Sequence, residues 1–152
     1  MSRSQASRIA AVFAATVTVL SLLPQADALD AFPGAEGAGR NAIGGRGGDV
    51  YFVKNLNDSG VGSLRYGIDT ATGPRTILFN AAGTIHLQSA LKSKKSFLTI
   101  AGQSAPGGGI TIADQYLGIS ECNDVILQYV RARLGDDPAS RAINPESDAL
   151  SL

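Results

Sequence analysis

The sequence is poor in several residue types, and each shortage excludes a class of protein. Its only cysteine is Cys122, so no intramolecular disulfide can form, which excludes the small secreted scaffolds that disulfides hold together. Its only histidine is His86, and no Cys-His arrangement suited to nucleophilic catalysis surrounds Cys122. We therefore predict structural roles for both residues, and stabilisation by packing or by a metal ion.

No charge of either sign is in excess, since 13 Lys and Arg residues balance 13 Asp and Glu residues. A balanced chain has no global field that favours nucleic acid or an anionic membrane as its partner. An acidic polymer would need a local basic patch instead. Beyond residue 28 there is also no second long apolar run that could span a bilayer.

Residues 1–28 are predicted to be a signal peptide. Arg3 and Arg8 form a short positive region, residues 9–23 are an apolar run without a charge, and residues 26–28 have the small-x-small pattern that signal peptidase accepts. About fifteen apolar residues are short of the roughly twenty that span a bilayer, so an uncleaved membrane anchor is the weaker alternative. The protein is therefore expected to be exported, either secreted or periplasmic.

Residues 29–152 are predicted to form one all-β domain. Eighteen glycines, few aromatic residues and the lack of a long amphipathic helical run indicate many tight turns. The main apolar runs recur about every 21 to 27 residues, close to one coil of a solenoid, with starts at Ile77, Leu98, Val125 and Ala149. Shorter strands would form the other faces of each coil, at residues 83–87, 109–113 and 116–120. A β-sandwich, which also has regularly spaced short strands, stays open as an alternative.

A short helix is predicted before the first full coil. Residues 57–62 have the composition of a turn, and Ser63 follows as the N-cap of the helix. The first coil of a solenoid exposes unpaired backbone and an open apolar core, which a capping helix would cover.

Two glycine-rich stretches, residues 31–40 and 44–48, are interpreted as tight turns around the end of the solenoid. A phosphate-binding P-loop is excluded because no Gly-Lys-Ser/Thr follows, and a dinucleotide site because no strand precedes the glycines and no helix follows them. An Arg-Gly-Gly segment for nucleic acid is disfavoured in an exported chain of zero net charge.

Six motifs in order give the sequence a resemblance to a known family. They are AFPGAEGAGR, GGRGG, NLNDSGVGSLR, RTILFNAAGTIHL, LTIAGQSAPGGGITI and VILQYVRARLGD. Together they resemble the opening of secreted pectate lyases of polysaccharide lyase family 1. The resemblance covers Ala31 through Leu152, with Ala38 differing from the aromatic residue of many relatives. Because Leu152 ends the chain inside a predicted strand, we expect an N-terminal fragment of a longer, truncated solenoid.

The resemblance implies a right-handed parallel β-helix and Ca²⁺-assisted β-elimination on pectate, the acidic α-1,4-linked polygalacturonate of plant cell walls. Removing a proton next to a uronate carboxylate is difficult until cations neutralise that carboxylate. Two alternatives stay open. One is a non-catalytic secreted β-solenoid that binds cell-wall polysaccharide. The other is hydrolysis by two separated carboxylates, which the lyase-like motif order disfavours.

Glu146 and Asp148 are the candidate Ca²⁺ ligands. Residues two apart on a strand point to the same face, so their carboxylates can converge on one ion. The resemblance implies an Asp-x-Asp-like pair at this place, whose second member Asp148 matches and from whose first member Glu146 differs in type. Asp148 is the first candidate and Glu146 the second. The alternative is an exposed acidic turn.

Arg131 and Arg133 alternate on a predicted strand and match the Arg-x-Arg-x-Gly-Asp block of the family. A planar guanidinium suits a uronate carboxylate, so both are candidate substrate-binding residues. The alternative is a structural ion pair with Asp136 or Asp137, which follow in a turn.

No catalytic residue is assigned to this chain. The resemblance implies that the catalytic base, an arginine, and the remaining Ca²⁺ ligands come from later coils, and no arginine here occupies the matching motif. We therefore expect the 152-residue chain to be inactive and to self-associate through the open end of the solenoid.

Overall fold

The structure, a computed structural model, describes residues 29–135 and 148–151. The predicted signal peptide lies outside the described residues, as do Glu146, Asp136 and Asp137. The described strands are β1 (Asp49–Val53), β2 (Arg75–Phe79), β3 (Gly83–His86), β4 (Leu91–Ser93), β5 (Leu98–Ala101), β6 (Ile110–Ala113), β7 (Leu117–Ile119), β8 (Val125–Gln128), β9 (Val130–Arg133) and β10 (Leu150–Ser151). One helix, α1 (Leu64–Asp69), precedes β2, and a 3-10 turn (Gly102–Ser104) follows β5.

The described strands form three parallel sheets. Sheet A has the order β1-β2-β5-β8, sheet B the order β3-β6-β9, and sheet C the order β4-β7-β10. From β2 onwards the chain visits sheets A, B and C in turn, and each return adds a parallel neighbour to the previous strand of that sheet. The prediction of a mainly β protein with little helix is confirmed. Each strand pairing in the described part is parallel, whereas a β-sandwich is built from antiparallel sheets.

Two details of the predicted strand equivalence are wrong. Ile77 pairs with Ile100, while Leu98 pairs with Arg75. Side chains in a strand alternate between its two faces with a period of two. A shift of two residues in the pairing of two strands therefore buries the same faces, and the apolar pattern of the sequence cannot distinguish the two registers. Ala149 leads into β10, which pairs with β7 in sheet C rather than with β8 in sheet A. Spacing alone could not identify the sheet, because strands of all three sheets send apolar side chains inward.

The core lies between the three sheets. Inward side chains stack on their neighbours in register, as Ile77 does on Ile100 and Ile85 on Ile112, and all four are 0% exposed. Burying one such side chain contributes about 1.5–3 kcal/mol. No described helix is long and apolar enough to cross a membrane.

Helix α1 begins where the sequence predicts. The Ser63 hydroxyl accepts a hydrogen bond from the Tyr66 amide at 3.1 Å, which confirms Ser63 as the N-cap. Leu64 and Ile68 are 0% exposed and belong to the core. The helix contacts β1, β2 and β4, so its buried face joins sheets A and C.

The second glycine-rich stretch lies elsewhere than predicted. Residues 43–48, called the strap below, cross the outer face of sheet A. The Ile43 amide donates to Asp124 Oδ1, just before β8, at 2.9 Å, and the Gly45 amide donates to Thr99 Oγ1 in β5, also at 2.9 Å. The strap does contain tight turns, because the Gly48 amide donates to the Gly45 carbonyl. The predicted turns are therefore present, but they cover a sheet face rather than an end.

A buried arginine joins the first two strands of sheet A to α1. The Arg75 guanidinium donates to both carboxylate oxygens of Asp49, at 2.8 and 2.6 Å, and to the Gly67 carbonyl at 2.8 Å. It also lies over the Tyr51 ring, 5.6 Å from the ring centre. The hydrogen bond from Arg75 holds the pKa of Asp49 below its usual value of 3.8.

This lowered pKa predicts a loss of stability in acid. A carboxyl group whose pKa is depressed by folding stabilises the protein above its unfolded pKa, and that stability is lost as the pH falls through the folded pKa. The loss therefore begins near pH 4 and continues below it. Because 59% of the Asp49 side chain is exposed, we expect less than about 1 kcal/mol. Urea unfolding from pH 6 to pH 2.5 would measure it. The Asp49→Asn variant should lack this component, and an unchanged pH profile in that variant would contradict the assignment.

Candidate functional site

Asp148 lies immediately before β10, at the edge of sheet C, and its side chain is exposed. Its position is set by the next residue, because the Ala149 carbonyl accepts a hydrogen bond from the Leu117 amide at 3.1 Å. Glu146 lies outside the described residues, so the predicted convergence of the two carboxylates stays a prediction.

The carboxylate oxygens of Asp148 are of the ligand type that Ca²⁺ prefers, and Ca²⁺ takes six to eight oxygen ligands. Among residues 29–135 and 148–151, no three His, Cys, Asp or Glu side chains come together as a metal cluster. The described residues therefore form no complete Ca²⁺ site around Asp148. Such a site needs further oxygens from elsewhere in the protein, from substrate or from water.

Arg131 and Arg133 lie together on the exposed face of β9 in sheet B. The Arg131 guanidinium is held in place, because its Nε donates to Thr111 Oγ1 at 2.9 Å and its Nη2 donates to the Gly108 carbonyl. Arg133 pairs in register with Ala113 of β6, which is itself buried. Within the described residues neither arginine forms an ion pair.

The structure brings the two arginines together but places Asp148 on another sheet. Arg131 and Arg133 are in sheet B, whereas Asp148 leads into sheet C. No hydrogen bond among the described residues joins Asp148 to either arginine.

The chain is similar to curated proteins named probable pectate lyase C. The relative from Emericella nidulans is 48% identical over 121 residues, which are 78% of this chain and 28% of the relative. The relative from Aspergillus flavus is 46% identical over 125 residues, 82% of this chain and 29% of the relative. The relative from Aspergillus terreus is 43% identical over 121 residues, 80% of this chain and 28% of the relative. No protein-family model matches the chain.

The resemblance to the pectate lyases is confirmed. The chain spans between a quarter and a third of the length of the pectate lyase relatives that it matches.

A polar pair on sheet B of this pectate lyase-like segment was missed by the sequence analysis. His86 Nδ1 lies 2.7 Å from Asp114 Oδ2, and the His86 side chain is 70% exposed. Asp114 follows β6 directly and has a φ of 74°, a conformation that aspartate adopts more readily than most residues. Only the register, which pairs His86 with Ala113, brings the two together across 28 residues of sequence. Cys122 is half-buried against the core, in keeping with a structural role.

Proposed function

We propose that this chain supplies part of a secreted pectate lyase that cleaves α-1,4-linked polygalacturonate by Ca²⁺-assisted β-elimination. The observation that carries the proposal is the 48% identity, over 78% of the chain, to a protein named probable pectate lyase C. The parallel sheets support it, because they are consistent with the parallel β-helix that the resemblance implies.

The proposal also states that the fold is a right-handed parallel β-helix and that α1 is its N-terminal cap. Three sheets visited in turn are what successive coils of such a helix produce. The burial of Leu64 and Ile68 beside β1, the first strand of sheet A, supports α1 as the cap.

In the proposed reaction a base removes the proton at C5 of a galacturonate unit, the bond from C4 to the glycosidic oxygen breaks, and a C4–C5 double bond forms. The departing oxygen takes up a proton, from water or from the protonated base, and becomes a hydroxyl group. Bound Ca²⁺ would neutralise the adjacent carboxylate and so stabilise the charge that develops as the proton leaves. Asp148 would hold the ion, with Glu146 as a second ligand. Arg131, already oriented by Thr111, and Arg133 would bind carboxylates of other units of the polymer. No residue of this chain is proposed as the base.

The proposal predicts Ca²⁺-dependent binding of oligogalacturonate that requires Asp148. Titration calorimetry with trigalacturonate should show a component that appears with Ca²⁺ and weakens at least tenfold, about 1.4 kcal/mol, in Asp148→Asn. The physical reason is that an amide keeps one oxygen ligand but loses the negative charge that holds a divalent cation. Asp69→Asn, an exposed position at the end of α1, should leave this component unchanged.

One result would contradict the proposal, and another would correct only its statement about the base. Binding of the same strength with and without Ca²⁺, unaffected by Asp148→Asn, would favour the non-catalytic polysaccharide-binding alternative. The 152-residue chain alone should release no unsaturated uronides, measured by ultraviolet absorbance, because no residue of this chain is proposed as the base. Clear Ca²⁺-dependent release would establish the lyase and overturn the statement that the base lies elsewhere.

A further inference from the structure

A groove lies at the corner between sheets C and A. One wall is formed by residues 71–73, between α1 and β2, and the other by residues 94–97, which connect β4 to β5. Its volume is about 450 Å³, within the range of small-molecule sites in proteins. The proposed lyase chemistry does not use it.

Phe97 in this groove is an unusual residue for its backbone. Its φ is 59°, and its side chain is part of the surface. The corner imposes the conformation, because the Phe97 amide donates to the Asn123 carbonyl and the Phe97 carbonyl accepts from the Arg75 amide, both at 3.0 Å. Asp124 occupies the equivalent position before the next strand of sheet A: it immediately precedes β8, just as Phe97 immediately precedes β5, and its φ is 56°. Asparagine, aspartate or glycine fits such a backbone more readily than phenylalanine does. Neither the backbone nor the core therefore explains the aromatic ring.

Two lysines stand beside this ring. Lys95 Nζ donates to the Ala71 carbonyl across the groove at 2.9 Å, which fixes the ammonium group and leaves two of its protons for a ligand. Lys94 Nζ lies 2.6 Å from Glu121 Oε2, and both side chains are about 70% exposed, so water screens this pair and a competing carboxylate can replace Glu121. The groove thus combines the aromatic ring of Phe97 with the ammonium group of Lys95, and Lys94 also lines it and can turn toward a ligand when it leaves Glu121.

We propose that this groove binds a galacturonate unit of the polymer without Ca²⁺. The C–H face of the sugar packs on Phe97, and its carboxylate binds the ammonium groups of Lys94 and Lys95. The choice of galacturonate rests on the proposed function. Asp148 and the groove lie at opposite edges of sheet C, since Asp148 precedes β10 and Lys94 follows β4. Strands two apart in a sheet are about 10 Å from each other, and the two places also lie at opposite ends of these parallel strands. A polymer of several units lying obliquely across sheet C would therefore be needed to contact both. The groove is then an anchoring subsite that adds affinity away from the bond that is cleaved.

The test is trigalacturonate binding to the whole chain in EDTA, where Ca²⁺ makes no contribution. The parent chain should bind, and Phe97→Asn should weaken binding about tenfold. Lys95→Met should weaken it severalfold. The matched control is Tyr129→Asn, because Tyr129 is also an exposed aromatic residue with a φ of 55°, but it lies between β8 and β9, at the corner of sheets A and B. Asparagine relaxes the backbone at both positions, so both variants should unfold at or above the temperature of the parent chain.

Three outcomes would overturn the proposal. They are an absence of binding in EDTA, an equal loss of binding in Tyr129→Asn, and equal binding of neutral trigalactose. Failure here is separable from failure of the lyase proposal. Asp148→Asn should leave binding in EDTA unchanged and abolish only the Ca²⁺-dependent component, whereas Phe97→Asn should leave the Ca²⁺-dependent increase in affinity intact.

Discussion

Gly48→Ala is expected to lower the free energy of unfolding by about 3 kcal/mol or more. A Cβ atom added at Gly48 would lie 1.7 Å from the Pro74 carbonyl oxygen and 2.3 Å from its carbon. These are backbone atoms, and the same carbonyl accepts a hydrogen bond from the Asp49 amide at the start of β1. The strap could relieve the overlap only by moving off sheet A. Urea unfolding followed by circular dichroism measures the loss.

The matched control for this prediction is Gly39→Ala. A Cβ atom at Gly39 meets no heavy atom within 4 Å, and Gly39 has no positive φ. Alanine there should change the free energy of unfolding by less than about 0.5 kcal/mol. Equal losses in both variants would show that glycine is needed for chain flexibility rather than for close approach of the strap to sheet A.

Arg65→Met is expected to cost about 3 kcal/mol, because Arg65 is the centre of a largely buried network. Its Nη2 lies 2.7 Å from Asp58 Oδ1, and the side chains of this pair are 17% and 13% exposed. The same guanidinium donates to the carbonyls of Ser89 and Ala90 at 2.7 and 3.2 Å. Removing it leaves a carboxylate with little access to water and two carbonyls without their donor. Thermal and urea unfolding of the variant would give the value.

The comparison for Arg65 is Lys94→Met, which removes a pair that is 68% and 70% exposed. Loss of such a pair should cost no more than about 1 kcal/mol. A double variant, Asp58→Asn with Arg65→Met, should recover part of the stability, because the uncompensated buried charge is then gone. If the double variant is no more stable than Arg65→Met, the charge is not the source of the loss.

The contacts of the strap and the hydrogen bonds of Arg65 each connect distant segments of the fold. The strap ties the N-terminal segment to three strands of sheet A through Asp124, Thr99 and the close approach of Gly48 to Pro74. Arg65 ties the turn before α1 to the residues that lead into β4. That strand forms one edge of sheet C, and β10, which Asp148 precedes, forms the other.

The sequence by itself determined the local features of this protein. Short apolar runs with β-branched residues predicted most of the strands, although β4 was missed and the apolar run 125–130 is divided between β8 and β9. Ser63 after a turn predicted the start of α1. Both depend on contacts within a few residues, which the order of residues shows directly. The family resemblance was equally accessible, because it rests on the order of motifs along the chain.

Only the tertiary structure decided which strands pair and which side chains meet. Ile77 pairs with Ile100, and this register cannot be predicted from an apolar pattern that repeats every two residues. The pairing of β10 with β7 likewise cannot be predicted from that pattern. The position of the strap depends on the contact between Gly45 and Thr99, 54 residues apart in sequence. The groove beside Phe97 exists because one corner of the sheets imposes a left-handed backbone there. Such contacts form between strands that become neighbours only after the chain has passed through all three sheets. The spacing of residues in the sequence therefore does not predict them.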